Sequence, residues 1–351
     1  MNVTPQFLYL GAFLLLTGLV LGDTSALVPA SASPDLLAEA LPVLKAGYVD
    51  FPGLHYKSGD QLKDLVARSD GGIQLVTPKE KMPLAPIISA LLPGNIIYWR
   101  LASFTPGKSW DDLAAQLEQG SQQDGQGIIL DLRSNVDPDD LTGAAQVAAF
   151  FTRNPTSPFI IQGSSVGIVS IIPFHPAHLF RQPIEVIINR ETNGAAEALA
   201  EYLKRQGAVL IGQSTPGKVA FFAQKSLSSG QVLRYMAGFV RLADGTDFLD
   251  HPVVPDIGLA VNDQAEKDVL TLIGQGRVLD VIAESVPRLR LNEAALIRGD
   301  DPEEDAELAS RENKSPTPPA VIRDIVLVSA IDSLKAIDLS QRRLPVSATV
   351  Q

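Results

Sequence analysis

Between Ile96 and Gly212, short apolar runs alternate with segments whose apolar residues recur every three or four positions. The runs IIYWRLASF (96–104), GIILDLR (127–133), IEVIIN (184–189) and AVLIG (208–212) read as strands. Helix-like stretches at Trp110 to Glu118, Leu141 to Phe151 and Gly194 to Gln206 separate them. A strand that must bury both faces, followed by an amphipathic helix and another such strand, is the pattern of βαβ units, so the expected class is α/β. Further strand patterns at Phe159–Ile161 and Val166–Ile172, and two runs at Val219–Ser226 and Gln231–Leu242 paired around Ser229-Gly230, add an antiparallel part and make the expected sheet mixed.

Outside this core the chain changes character. Leu36, Leu37, Ala40, Leu41 and Leu44 have helical spacing and Gly47 offers a stop, whereas Tyr48 to Gly94 is broken by five prolines and reads as a linking segment with a small helix near Asp60 to Ala67. Helical patterns return at Ala265–Ile273 and Val278–Ala283. GDDPEEDAELASRENKSPTPP (299–319) reads as a solvated linker before a last helix at about Val321 to Ile337. At the other end, Phe7 to Gly22 is the one long apolar run. Ala30-Ser31-Ala32 behind it fits a signal-peptidase site, which predicts export to the periplasm or exterior with the mature chain starting at Ser33. The alternative is retention of 1–32 as an uncleaved membrane anchor. The expected division is signal peptide 1–32, helix and linking segment 33–94, core 95–262, helical extension 263–298, linker 299–319 and C-terminal helix 320–351.

Composition removes several kinds of chemistry. There is no cysteine, hence no disulfide, thiolate metal site or thiol nucleophile, and a net charge of −11 disfavours nucleic acid and anionic lipid as partners. GQSTPGKV (212–219) matches G-x-x-x-x-G-K, but Val219 stands where a magnesium-binding hydroxyl belongs and Pro216 lacks an N–H for a phosphate cradle. The four histidines, His55, His175, His178 and His251, lie among prolines and turn residues, and the H-x-x-H of His175 and His178 alone has low specificity for a metal. No cofactor or metal is expected.

Read in order, IILDLRSN, VIINRETNGAAEALAEYL, GAVLIGQSTPGK, LADGTDFLD and VVPDIGLAV resemble the C-terminal processing (tail-specific) serine proteases. LPVLKAGYVD and DIVLVSAIDSLKAI look like the helices flanking that family's core. The resemblance implies a crotonase-like α/β protease core with flanking helical segments, and a Ser-Lys dyad acting on an extended peptide or protein C-terminus. In such a dyad a serine at a helix start attacks the carbonyl, a lysine takes its proton, and backbone amides bind the oxyanion. Carried onto this chain, the T-A-S-A-x-E pattern matches Thr192, Ala195 and Glu197, puts Asn193 in the first alanine place, and puts Gly194 where the nucleophile belongs. The base falls on Lys218, preceded by Gly217.

Three departures follow from that alignment. Gly194 has no hydroxyl. The glycine pair implied after DLR-N-N-P is replaced in DLRSNVDPDDL, where Asp137 and Asp139 bring carboxylates to the oxyanion loop. The glutamine four residues after the lysine is Phe222. No PDZ-like segment is evident before Ile96. Loss of a serine nucleophile costs about a millionfold in kcat, and loss of one oxyanion donor about 3 to 4 kcal/mol. The expectation is therefore a catalytically silent homologue that binds peptide or acts as a scaffold, with Thr192 and Asn193 as candidate caps for the helix at 194 and Lys218 as a surface lysine. Two rivals are a peptidase using another nucleophile such as Ser214, and a carrier of an apolar ligand. Oligomeric state is left open, and membrane association is expected only through the N-terminal segment.

Overall fold

In the computed structural model the described residues are 35–77, 87–104, 126–154, 156–163, 169–172, 180, 182–248, 251–283 and 322–343. The apolar run before Pro34, the expected helix at Trp110–Glu118, the linker 299–319, His175 and His178 lie outside them. Among the described residues no helix is long and apolar enough to cross a membrane.

The βαβ expectation is met in a six-stranded sheet. In chain order its strands are β2 (Ile87–Leu92), β3 (Ile96–Leu101), β4 (Gly127–Asp131), β7 (Ile184–Ile188), β8 (Val209–Gly212) and β11 (Ile257–Gly258), and they lie side by side as β11-β8-β7-β4-β3-β2. β3, β4, β7, β8 and β11 run parallel and β2 closes one edge antiparallel. The central strands are mostly apolar because both faces are covered, with Arg100, Asp131 and Glu185 as buried exceptions. Trp99, Ile128, Leu130, Val186 and Leu210 face the helices Leu141–Phe151 (α3) and Ala195–Arg205 (α4). Tyr98, Ile129, Ile187 and Ile211 face Asp263–Gly274 (α5) and Ile325–Arg343 (α6).

β5 (Phe159–Gly163), β6 (Val169–Ile171), β9 (Ala220–Ser226) and β10 (Val232–Leu242) do not extend this sheet; they build a second, antiparallel one with β1 (Ile73–Val76). The 11-residue β10 is its spine, pairing with β1 and β5 along one side and β9 along the other. This corrects the status of Tyr48–Gly94. Far from merely linking, it supplies α2 (Leu62–Arg68), β1 and β2, and it is tied to β10 by Val49 N–H donating to Met236 O and Met236 N–H donating to Gly72 O. Its apolar residues Leu54, Leu62, Leu65 and Ile73 form a third cluster with Ala40 and Leu44 of α1 (Leu36–Gly47) and Leu233 of β10. The expected helix at Val278–Ala283 is instead a pair of turns, closed by Asp280 N–H to Arg277 O and Ile282 N–H to Leu279 O, after Gly276 takes φ +78°.

α6 starts later than expected because Asp324 caps it, accepting the N–H groups of Val326 and Leu327. The same carboxylate takes Arg133, which is 1% exposed and also grips Asp131 at 2.7 Å. Burial works to raise the Asp131 carboxyl, but the Arg133 guanidinium overcomes it and holds the group below its usual range. The DLR arginine thus fastens the C-terminal helix to the sheet.

Candidate active site

The strand-to-helix turn after β7 is fixed by Thr192, whose hydroxyl accepts Asn189 N–H at 3.0 Å and reaches the Leu132 carbonyl at 3.2 Å. Thr192 is therefore buried bracing between β7 and the end of β4, and it does not cap α4. Asn193 does not cap it either, since its amide turns to Glu191 O. The N-cap is Gly194 itself, with φ +57° and ψ −125°, a conformation costly for any residue with a Cβ.

What sits against that glycine is the 137–140 loop. A Cβ built on Gly194 would lie 2.1 Å from the Pro138 carbonyl oxygen and 2.8 Å from its carbonyl carbon. The same oxygen accepts the N–H of Ala195 at 2.8 Å, so the first amide of α4 is already filled. The carboxylates expected to face this point are turned away. Asp137 accepts the Ser103 hydroxyl and Phe104 N–H, Asp140 accepts Gly143 N–H as the cap of α3, and Asp139 pairs with Arg234. The conflict with an anion foreseen from side-chain charge comes instead from a backbone carbonyl.

Lys218 lies in the extended segment between β8 and β9. It is exposed, as is Ser214. The segment is shaped by Glu197, which is fully buried on α4 and accepts the Thr215 hydroxyl, Gly217 N–H at 2.7 Å and Lys218 N–H at 3.0 Å. Burial pushes the Glu197 carboxyl up, against the opposite pull of these bonds. The Gly217 and Lys218 N–H groups of the G-x-x-x-x-G-K segment thus point at a carboxylate and those of Gln213 and Thr215 at backbone carbonyls, the reverse of a phosphate cradle. Gly217 has φ +71°, and a Cβ there would meet Pro252 N at 2.9 Å.

Asn193, Gly217, Lys218, Pro138 and Asp139 come together on one wall of a cavity of about 1010 Å³. Ala195, Thr192 and Asp137 are buried behind it. Phe222, at the place of the implied glutamine, also lines the cavity, with the Arg234 guanidinium stacked 3.4 Å from its ring centroid. Pro138 and Arg234 were not singled out from the sequence. The available signal for Arg234 was a lone cation inside the apolar run VLRYMAGFV.

Residues 95–259 match the sequence profile of peptidase family S41, the family that the ordered motifs resemble. A carboxyl-terminal-processing protease of Synechocystis sp. is 28% identical over 175 residues, which is 48% of this chain but 40% of that protein, so the match spans less than half of the relative. Among solved structures, a photosystem II D1 C-terminal processing protease is 25% identical with a TM-score of 0.46, covering 60% of this chain and 56% of its own. A lipoprotein from Streptococcus agalactiae is 15% identical with a TM-score of 0.49, covering 70% of this chain and 99% of its own.

Proposed function

We propose, from the match of residues 95–259 to the peptidase family S41 profile, that the protein is a non-hydrolytic relative of that family that holds an extended peptide segment in the cavity beside β9. The observation that carries this is the contact between Gly194 and Pro138. The nucleophile position has no hydroxyl, no room for a Cβ, and a carbonyl oxygen where an oxyanion donor should be free. Absence of a serine nucleophile alone removes about a millionfold in kcat. An occupied Ala195 amide removes a further donor of the kind worth about 3 kcal/mol to a developing oxyanion.

The binding side of the proposal is supported by what remains. The described residues keep the six-stranded sheet with helices on both faces, and the cavity is walled by Phe222, Ala220 and Met236 along with polar groups. The hydrogen-bonding edge of β9 away from β10 has no strand partner among the described residues, so an extended chain can add there by backbone pairing. Export behind residues 1–32 is part of the same proposal and rests on the apolar run and the small-x-small site.

The test is a serine-reactive fluorophosphonate probe together with a tail-peptide cleavage assay on the full chain. Neither labelling nor cleavage is expected, while an unstructured peptide binds without turnover. Stoichiometric labelling would overturn the proposal, and its loss in Ser214→Ala would identify the rival nucleophile.

A further inference from the structure

Arg234 is built like a receptor for a carboxylate. Its plane is stacked on Phe222, and Nη1 donates to Gln74 Oε1 at 2.9 Å, which fixes its rotation. The remaining fork is aimed along the cavity wall. Nε donates to one oxygen of Asp139 at 2.8 Å and Nη2 to the other, the two-pronged geometry that guanidinium groups make with carboxylates. That carboxylate comes from a loop 95 residues away in sequence. Its neighbour Pro138 is the residue covering the start of α4.

Lys218, on the same cavity, has no ion-pair or hydrogen-bond partner for its ammonium among the described residues. We propose that Arg234 is a carboxylate-binding site of this cavity, occupied in the unliganded protein by the chain's own Asp139, and that a ligand carboxylate takes Asp139's place. This rests on the extended-chain reading above and sharpens it. The ligand is a peptide segment offering a carboxylate, from either an acidic side chain or a free C-terminus. Exchange also loosens the loop. When Asp139 leaves Arg234, the loop keeps its Asp137 and Asp140 bonds but loses one of three holds, so Pro138 lifts from the Ala195 N–H more readily and binding is coupled to opening at α4.

A tethered carboxylate competes at an effective concentration on the order of millimolar, so the wild-type protein binds such ligands weakly and removal of Asp139 strengthens binding. Three acetylated hexapeptides with one apolar framework serve as probes: an internal glutamate with an amidated end, no acidic side chain with a free C-terminal carboxylate, and a neutral amide. Binding is followed by fluorescence anisotropy, and hydrogen exchange reports the Ala195 amide. Asp139→Ala is expected to bind at least one carboxylate peptide about tenfold tighter than wild type, with the neutral amide unchanged and Ala195 exchange accelerated. Adding Arg234→Gln removes the gain. The two carboxylate peptides separate side-chain from C-terminal recognition.

The inference is overturned if Asp139→Ala shows no gain, if the neutral amide gains equally, or if the gain survives Arg234→Gln. In those cases neutral-peptide binding still supports the extended-chain reading, whereas binding of none of the three to either protein overturns both. Should Asp139→Ala fold poorly, Asp139→Asn keeps the size, halves the acceptor set and is expected to give a smaller gain in the same direction.

Discussion

Gly194→Ala places one methyl group where the structure leaves no space, and its cost can be worked from two separable contributions. The first is backbone conformation. With φ +57° and ψ −125°, a residue with a Cβ is held in a sparsely allowed region at about 1 to 3 kcal/mol. The second is overlap. An added Cβ 2.1 Å from the Pro138 oxygen forces backbone, not a flexible side chain, to move, which adds about 1 to 3 kcal/mol as for other overpacked sites. Gly207 isolates the first contribution, because it has φ +97° but no atom within 4 Å of a built Cβ. Urea unfolding of the two variants should therefore show Gly207→Ala losing about 1 kcal/mol and Gly194→Ala about 3 to 5 kcal/mol. Gly194→Ser carries the same Cβ and should lose as much while gaining no hydrolysis of a tail peptide. If Gly194→Ala costs no more than Gly207→Ala, the Pro138 loop yields freely and the site is not closed. If Gly194→Ser turns over peptide, the silence comes from the missing hydroxyl alone.

Other parts of the molecule give independent tests. Glu185 is fully buried on β7, and burial pushes its carboxyl from 4.5 up to about 7, against a smaller pull from the Ser333 hydroxyl. Its folded value lies above the unfolded one, so the stability it confers is complete below about pH 4.5 and is lost as pH rises through about 7. Allowing for screening, Glu185→Gln should remove about 2 kcal/mol of that decline between pH 5 and pH 8 in urea unfolding, and an unchanged pH slope would contradict it. Asp324→Ala leaves buried Arg133 short of one partner and uncaps α6, so the variant should lose about 3 kcal/mol or more, with amide exchange of α6 accelerated ahead of β4. Glu197→Leu abandons the Thr215 hydroxyl and the Gly217 and Lys218 amides, and should lose about 2 kcal/mol or more, with faster exchange at both amides.

Local order was legible where one physical period dominated. Ala195, Ala198, Leu199, Tyr202 and Leu203 fall on the buried side of α4, as their spacing requires. The hairpin of β9 and β10 was marked by Ser229-Gly230, where Gly230 takes φ +81°. Which sheet those strands join was not legible, because alternation fixes a face and leaves the neighbour open. β1 escaped notice because it is four residues long, IQLV, among glycines and prolines, and its place comes from pairing with β10. In the site, residue types revealed the missing hydroxyl at Gly194 but not the occupant of its space. A Pro138 carbonyl has no sequence signature, and the charges of Asp137, Asp139 and Asp140 suggested repulsion at a point from which each is diverted by its own partner.

The two departures at the site lock one another. Glycine at 194 is what permits the 137–140 backbone to approach α4, and that approach is what excludes any larger residue at 194. The loop in turn is held from three directions, by Asp137 on Phe104 N–H, Asp140 on Gly143 N–H and Asp139 on Arg234, so it does not simply withdraw when one atom is added opposite it. A serine restored at 194 would meet a closed loop, and an opened loop would uncover an amide beside a glycine. On the proposed non-hydrolytic reading, hydrolysis at position 194 requires at least two coordinated changes, one releasing the loop and one supplying the hydroxyl, with neither of use alone. A binding function faces no such barrier. The scaffold already presents the cavity, the open edge of β9 and an arginine whose carboxylate partner can be exchanged.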